Sequence, residues 1–121
     1  MSANTNRTKG HNFERELAII FRDLGFKYCK TSRQASRLYD DSGIDLWGIP
    51  YLVQAKKVKA SINYGKLFKS IEENVIKNFP PGSAEREHPI VIFHRKEKDK
   101  LVIMKENDFI NLLKKIHGDS K

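Results

Sequence analysis

A single cysteine, Cys29, in 121 residues leaves nothing for an intramolecular disulfide, which excludes a disulfide-stapled scaffold and fits a reducing compartment. Four histidines, His11, His88, His94 and His117, are scattered along the chain and share no zinc-ligand spacing with Cys29. No apolar run approaches the roughly 18 residues of a membrane-spanning helix, and the polar N-terminus has no signal-peptide core. The expectation is a soluble, intracellular protein of the cytoplasm with no membrane partner. Acidic residues are in short supply as well: 15 Asp and Glu face 23 Lys and Arg, a formal net charge of +8, with an isoelectric point near 9.6. That imbalance points to a polyanionic partner, nucleic acid foremost. The length bounds the chain to one domain with room for a real core, and no internal repeat or low-complexity tract interrupts it.

What the chain does contain is organised around Ser42–Lys57, SGIDLWGIPYLVQAKK. Leu46, Trp47, Tyr51, Leu52 and Val53 are types that fit a pleated surface, and Gly48-Ile49-Pro50 marks a turn. Two short strands are expected, with the polar residues as the anomaly. A turn centred between Ile49 and Pro50 pairs Trp47 with Leu52 and sets Asp45 opposite Gln54, while alternation puts Lys56 on the face of Gln54. A four-residue loop keeps this pairing; a three-residue loop breaks it. A carboxylate, an amide oxygen and an ammonium side by side suit a magnesium ion at a scissile phosphate, because Mg²⁺ takes oxygen ligands and binds through one or two carboxylates plus substrate phosphate. The lysine then offsets phosphate charge.

Along the chain, residues 1–9 read as a flexible basic arm in which Arg7 and Lys9 can touch phosphate, and residues 10–121 as the single domain. From His11 the pattern is helical, with Asn12 as N-cap, Phe13, Leu17, Ile20 and Leu24 on one face, Glu14 at its edge, and Gly25 as the stop. Phe26–Thr31 is expected as a half-buried strand. The following SRQASRLYDD reads as a polar loop whose Ser32, Arg33, Ser36 and Arg37 can grip phosphates without reading bases. A helix over 64–78 carries the stripe Tyr64, Phe68, Ile71, Val75 and Phe79, and Pro80-Pro81-Gly82 ends it. Pro89–His94 suits a central strand, with Leu101–Met104 as its partner. Glu106-Asn107-Asp108 offers caps for a last helix whose Phe109, Leu112, Leu113 and Ile116 pack inward. The order α-β-β-β-α-β-β-α gives an α/β or α+β sandwich around one mixed sheet.

K-G-x-x-x-E-R-E (Lys9 to Glu16), the Ser- and Arg-bearing loop, G-I-D (Gly43 to Asp45) and Q-A-K (Gln54 to Lys56), taken in order, resemble the PD-(D/E)xK nuclease superfamily. Archaeal-type Holliday-junction resolvases and related phage endonucleases are the nearest likeness, over roughly residues 8–58. The resemblance implies a restriction-endonuclease-like fold, a central mixed sheet flanked by helices. It also implies a homodimer that hydrolyses the backbone of branched or four-way-junction DNA with Mg²⁺, for which Mn²⁺ can substitute. Glu14 then matches the helical carboxylate that reaches the metal, Asp45 the central ligand, the Ala55 main-chain carbonyl a further ligand, and Lys56 the lysine beside the attacking water. Arg15 matches the basic residue after the helical glutamate, and Lys57 extends the DNA contact. Gln54 departs from the usual Glu and removes one negative charge, although an amide oxygen can still ligate. Two other readings stay open: a nuclease-fold DNA-binding protein that no longer cleaves, and a nicking or restriction-like enzyme acting on linear duplex.

Overall fold

β-Strands present alternate side chains to opposite faces, and in this chain both faces of one strand pair are apolar. In the computed structural model, which describes residues 2–118 with side chains from residue 9 onward, β3 (Leu52–Lys57) and β4 (Ile90–Lys96) run parallel. Leu52 lies opposite Ile90 and Lys56 opposite His94. Val53, Ala55, Val91 and Phe93 pack against Phe13, Leu17, Ala18 and Phe21 of α1 (Ser2–Asp23). Leu52, Ile90 and Ile92 pack against Phe68, Ile71, Val75 and Phe79 at α4 (Tyr64–Asn78). Parallel strands need a crossover, and α4 supplies it. The result is three layers, helix on sheet on helix.

The chain is α+β. A three-stranded mixed sheet, β3-β4-β5, is completed by the antiparallel β5 (Asp99–Ile103), and a separate two-stranded antiparallel ladder joins β1 (Lys30–Thr31) to β2 (Leu46–Trp47). Two short helices, α2 (Ser32–Ala35) and α3 (Arg37–Asp41), stand between β1 and β2; a 3-10 turn covers Ala84–Glu87, and α5 (Glu106–His117) closes the order. α4 falls where the sequence pattern put it, and β4 and β5 do so within about two residues, β4 running on past His94 to Lys96 and β5 starting at Asp99. Asn63 caps α4, its side chain accepting from the Lys66 amide at 3.0 Å.

Elsewhere the structure differs. The first helix starts at Ser2 rather than near His11, taking in residues expected as an arm, and Asn12 sits inside it with Oδ1 accepting from Arg15. Its buried stripe is Phe13, Leu17, Ala18 and Phe21, whereas Ile20 and Leu24 are exposed. The strand expected over 26–31 shrinks to two residues, because the Phe26 amide returns to Phe21 O and the Cys29 amide to Phe26 O, curling the chain. The polar loop is helical instead, with Ser36 Oγ accepting from the Tyr39 amide as the cap of α3. The single sheet is two ladders, since β2 pairs with β1, and the residue before it, Asp45, donates its amide to Val53 O of β3 at 2.7 Å without a ladder forming. That bond is one residue away from the expected pairing of Asp45 with Gln54. Gly48 fixes the turn: its φ is +90°, and a Cβ there would stand 2.8 Å from the Tyr28 carbonyl oxygen. The inward packing expected of α5 is also corrected, for none of its residues is buried and its N-cap, Lys105, makes no side-chain cap bond.

Candidate metal and phosphate site

Asp45 is held by its backbone before its side chain does anything. Its amide donates to Val53 O, and its carbonyl accepts from Ser32 N at 2.8 Å. The carboxylate then folds over the edge of β3, where Oδ2 accepts from the Ala55 amide at 2.7 Å and from Gln54 Nε2 at 2.8 Å. Within a strand the N–H and C=O of one residue point the same way. The Val53 carbonyl and the Ala55 amide both face Asp45, so the Ala55 carbonyl is turned toward that side too.

Gln54 is buried, and it offers Asp45 its NH₂ rather than its oxygen. A carboxylate has only acceptors, so the donor end of the amide must face it. The amide oxygen lies toward Gly43, 3.4 Å from where a Cβ would be, and Gly43 itself has φ +81°. The expected meeting of Gln54 with Asp45 is present. The expected oxygen-to-oxygen arrangement is not.

Glu14 reaches the same region from α1, largely buried, with Oε1 accepting from Arg33 Nε at 3.1 Å. Removal from water first, and the Glu14 charge beside it, push the Asp45 carboxyl up to about 7, against the Ala55 amide, Lys56 and the Gln54 amide, which lower it. A carboxylate so placed is short of solvation, which a bound cation would replace. Among the described residues no cluster of three or more His, Cys, Asp or Glu is arranged to hold a metal ion. Two carboxylates and a carbonyl do not make a closed cage. They do fit Mg²⁺, which keeps several waters and shares its shell with substrate phosphate.

Cations flank the site on two sides. A groove of about 670 Å³ begins at Ala55 and Lys56 and is lined further by Lys9, Lys57, Lys59 and Arg95, with Glu97 its one acid. Arg95 is braced by an ion pair with Glu16 and by the Phe13 ring, 4.5 Å from its guanidinium carbon. On the other side, a shallower hollow is lined by Arg15, Arg22 and Arg33 with Thr31. The expected phosphate residues separate accordingly. Lys9 and Lys57 line the groove; Arg15 and Arg33 line the hollow; Arg37 is exposed beside Asp41. Ser36 spends its hydroxyl on the α3 cap. Ser32 is fully buried and anchors Asp45 through its amide, so it does not meet a strand from solvent. The Arg7 side chain lies outside the described residues.

Lys59, Arg95 and His94 escaped the sequence reading. His94 is 1% exposed; its Nε2 donates to Val58 O at 3.1 Å and its Nδ1 shares a 2.7 Å hydrogen bond with the Tyr64 hydroxyl. Its neighbour in the ladder is Lys56, so it pins the strand end just past that lysine. The available signal was a polar residue closing the apolar run PIVIFH. A larger cleft, about 760 Å³, lies between α4, the 3-10 turn and α5, where Glu72, Glu73, Glu85, Glu87 and Asp108 outnumber its cations. It is the wrong sign for a polyanion. No protein-family model, curated protein or solved structure matches the chain, and no helix among the described residues is long and apolar enough to cross a membrane.

Proposed function

We propose that the protein is a metal-dependent endonuclease of the PD-(D/E)xK kind, hydrolysing backbone phosphodiesters of branched or four-way-junction DNA as a homodimer. One observation carries the reading. Asp45, laid over the edge of β3 within reach of the Glu14 and Lys56 charges, accepts from the amide of Ala55, and Ala55 and Lys56 themselves line a groove with five cations and one acid. A carboxylate pair alone is common, and so is a basic groove; a carboxylate held out of water next to such a groove suits a cation and a phosphodiester together.

Asp45, Glu14 and the Ala55 carbonyl would hold Mg²⁺, with Mn²⁺ as a substitute, and the bound ion would supply Lewis acidity and a water activated for in-line attack. The chain's own groups do the rest. Lys56 lies close enough to Asp45 to lower its carboxyl's pKa, and beside a bound phosphodiester it offsets charge gathering on the non-bridging oxygens. Lys9, Lys57, Lys59 and Arg95 neutralise backbone phosphates along the groove and give affinity without sequence information. Glu14 is shared with Arg33 until a cation competes for it. The Asp45 backbone, fixed from Ser32 and Val53, keeps the carboxylate from following the substrate.

A second reading has its own observation. Gln54 brings an NH₂ to Asp45 where a second carboxylate would strengthen the metal site, which favours a nuclease-fold protein that binds DNA without cutting it. Both readings meet one assay: nicking of a four-way junction and of linear duplex, with Mg²⁺ or Mn²⁺, by the parent and by Asp45→Ala. Junction cleavage lost in Asp45→Ala supports the endonuclease. Binding with no cleavage supports the second reading, and equal cleavage of linear duplex makes the enzyme a nicking or restriction-like one.

A further inference from the structure

α5 is amphipathic the wrong way round for a helix that packs on its own domain. Phe109, Ile110, Leu113 and Ile116 are 48%, 40%, 38% and 63% exposed, and their spacing gathers them on one face. The opposite face carries Asp108, Asn111, Leu112 and Lys115, which line the clefts toward the 3-10 turn and the β2–β3 loop. Lys105, at the N-cap, tethers the helix to α4 through Glu72 at 2.6 Å. The polar side thus faces the protein, and the apolar side faces out. A contiguous apolar face on a chain with so many charges marks a contact surface.

We propose that α5 is a self-association surface, packing antiparallel against α5 of a second copy. The charges at its two ends choose the occupant. The first turn holds Glu106 and the last turn Lys114. With a two-fold axis near Ile110 and Leu113, each Glu106 falls opposite the last turn of the other helix, and each apolar residue meets an apolar residue. A two-fold interface must be complementary to itself, and this helix is, in both apolar pattern and charge. A phosphate backbone has nothing to bind on a face of Phe, Ile and Leu, and the cationic groove lies on other elements. Twelve residues at 1.5 Å per residue give a contact roughly 18 Å long, and at a helix width of about 10 Å that is roughly 200 Å² per copy, well under the roughly 800 Å² per partner of a standard stable interface. The association is therefore a weak, concentration-dependent one. It rests on the homodimer of the proposed function, for which it names the surface, while its test is separate from the chemistry at Asp45.

Sedimentation velocity over the micromolar range, with circular dichroism as the control for folding, tests the proposal. The parent should pass from monomer to dimer as concentration rises. Leu113→Glu should stay monomeric with an unchanged spectrum, since Leu113 is exposed and its loss opens no core. Glu106→Lys should weaken the dimer several-fold by setting like charges opposite each other, and adding Lys114→Glu should restore it. A parent that remains monomeric throughout overturns the proposal, as does a Leu113→Glu variant that dimerises like the parent. Failure of Lys114→Glu to rescue Glu106→Lys removes the antiparallel pairing. Anionic lipid vesicles supply the remaining arm: a parent that binds them through α5 without self-associating makes a membrane surface the occupant and overturns the second copy.

Discussion

Asp45→Asn should make the protein more stable at pH 8 and leave it nearly unchanged at pH 4. The Asp45 carboxyl titrates at about 7 in the folded protein against 3.8 for an ordinary aspartate, chiefly because it is removed from water and secondarily because Glu14 repels its charge. Because the folded value is the raised one, the folded state holds the proton more tightly than the unfolded chain. Stability therefore falls as pH rises from about 4 to about 7 and stays low above that. At 1.36 kcal/mol per unit the full shift corresponds to roughly 4 kcal/mol at most, and about 2–4 kcal/mol is expected once the site relaxes around the charge. Asparagine keeps an oxygen for the Ala55 amide and for Gln54 Nε2, so the comparison removes charge with little change in shape. Urea unfolding of both proteins from pH 4 to 8, in chelator, should show a gap that opens through that window. Excess Mg²⁺ should then close it at pH 8 by stabilising the parent alone, by about 2.7 kcal/mol at a hundred times its dissociation constant. A gap constant in pH, or equal stabilisation of both proteins by Mg²⁺, would refute the reasoning.

Arg33→Ala frees Glu14 from its ion-pair partner, so calorimetry should find tighter Mg²⁺ binding, while stability falls by no more than about 1 kcal/mol; unchanged affinity would mean Glu14 stays out of the metal shell. In the groove, Lys59→Ala with Arg95→Ala should weaken junction binding on any sequence and reduce the slope of log affinity against log salt by about 2, whereas Arg37→Ala should leave the slope alone. Gln54→Glu sets a third carboxylate against Asp45 and removes its NH₂ donor, so the metal-free protein should lose about 1–3 kcal/mol and regain it in Mg²⁺; a variant as stable as the parent in chelator would place Gln54 outside the site. His94→Phe leaves the Val58 carbonyl and the Tyr64 hydroxyl without their partner, which should cost about 2–4 kcal/mol in urea unfolding, with Tyr64→Phe costing about 1.

How much of this was legible in the sequence depends on how far each feature reaches along the chain. α4 and β4 were readable because their periods, 3.6 and a continuous apolar run, are local and their apolar faces are the ones buried. Phe26–Thr31 failed for the same reason in reverse. Its alternation was local, but Arg22 Nη1 donates to Cys29 O at 2.7 Å and the Phe26 amide bonds back to α1, so contacts to the helix outweighed the strand pattern. In α1 the expected stripe shares Phe13 and Leu17 with the buried one but continues through Ile20 and Leu24, whereas the sheet is met by Ala18 and Phe21; several apolar residues around the helix leave the period compatible with either face. In α5 the period was right and the side was wrong, since a hydrophobic face encodes that something covers it and not what.

The site divides along the same line. Asp45, Gln54, Ala55 and Lys56 lie within twelve positions on the sequence, so the spacing of two adjacent strands was enough to bring them together even though the ladder expected between them is absent. Spacing does not carry the orientation of an amide. Only the acceptor character of Asp45 decides that the NH₂ of Gln54 faces it, and that acceptor could be recognised once the Ala55 amide and the Gln54 side chain were seen to converge on the same oxygen. The cations divide likewise. Lys56, Lys57 and Lys59 follow one another on a strand and its exit, but Arg95 enters the groove because β4 runs parallel to β3 with Lys57 opposite Arg95. A parallel partner is set by the crossover over residues 58–89, with α4 inside it, whose geometry no motif records. The electrostatics of the groove are thus a property of the topology, and a sequence sharing the Asp45–Lys56 spacing without a basic residue at the β4 position level with Lys57 would have the carboxylate edge with a weaker phosphate track.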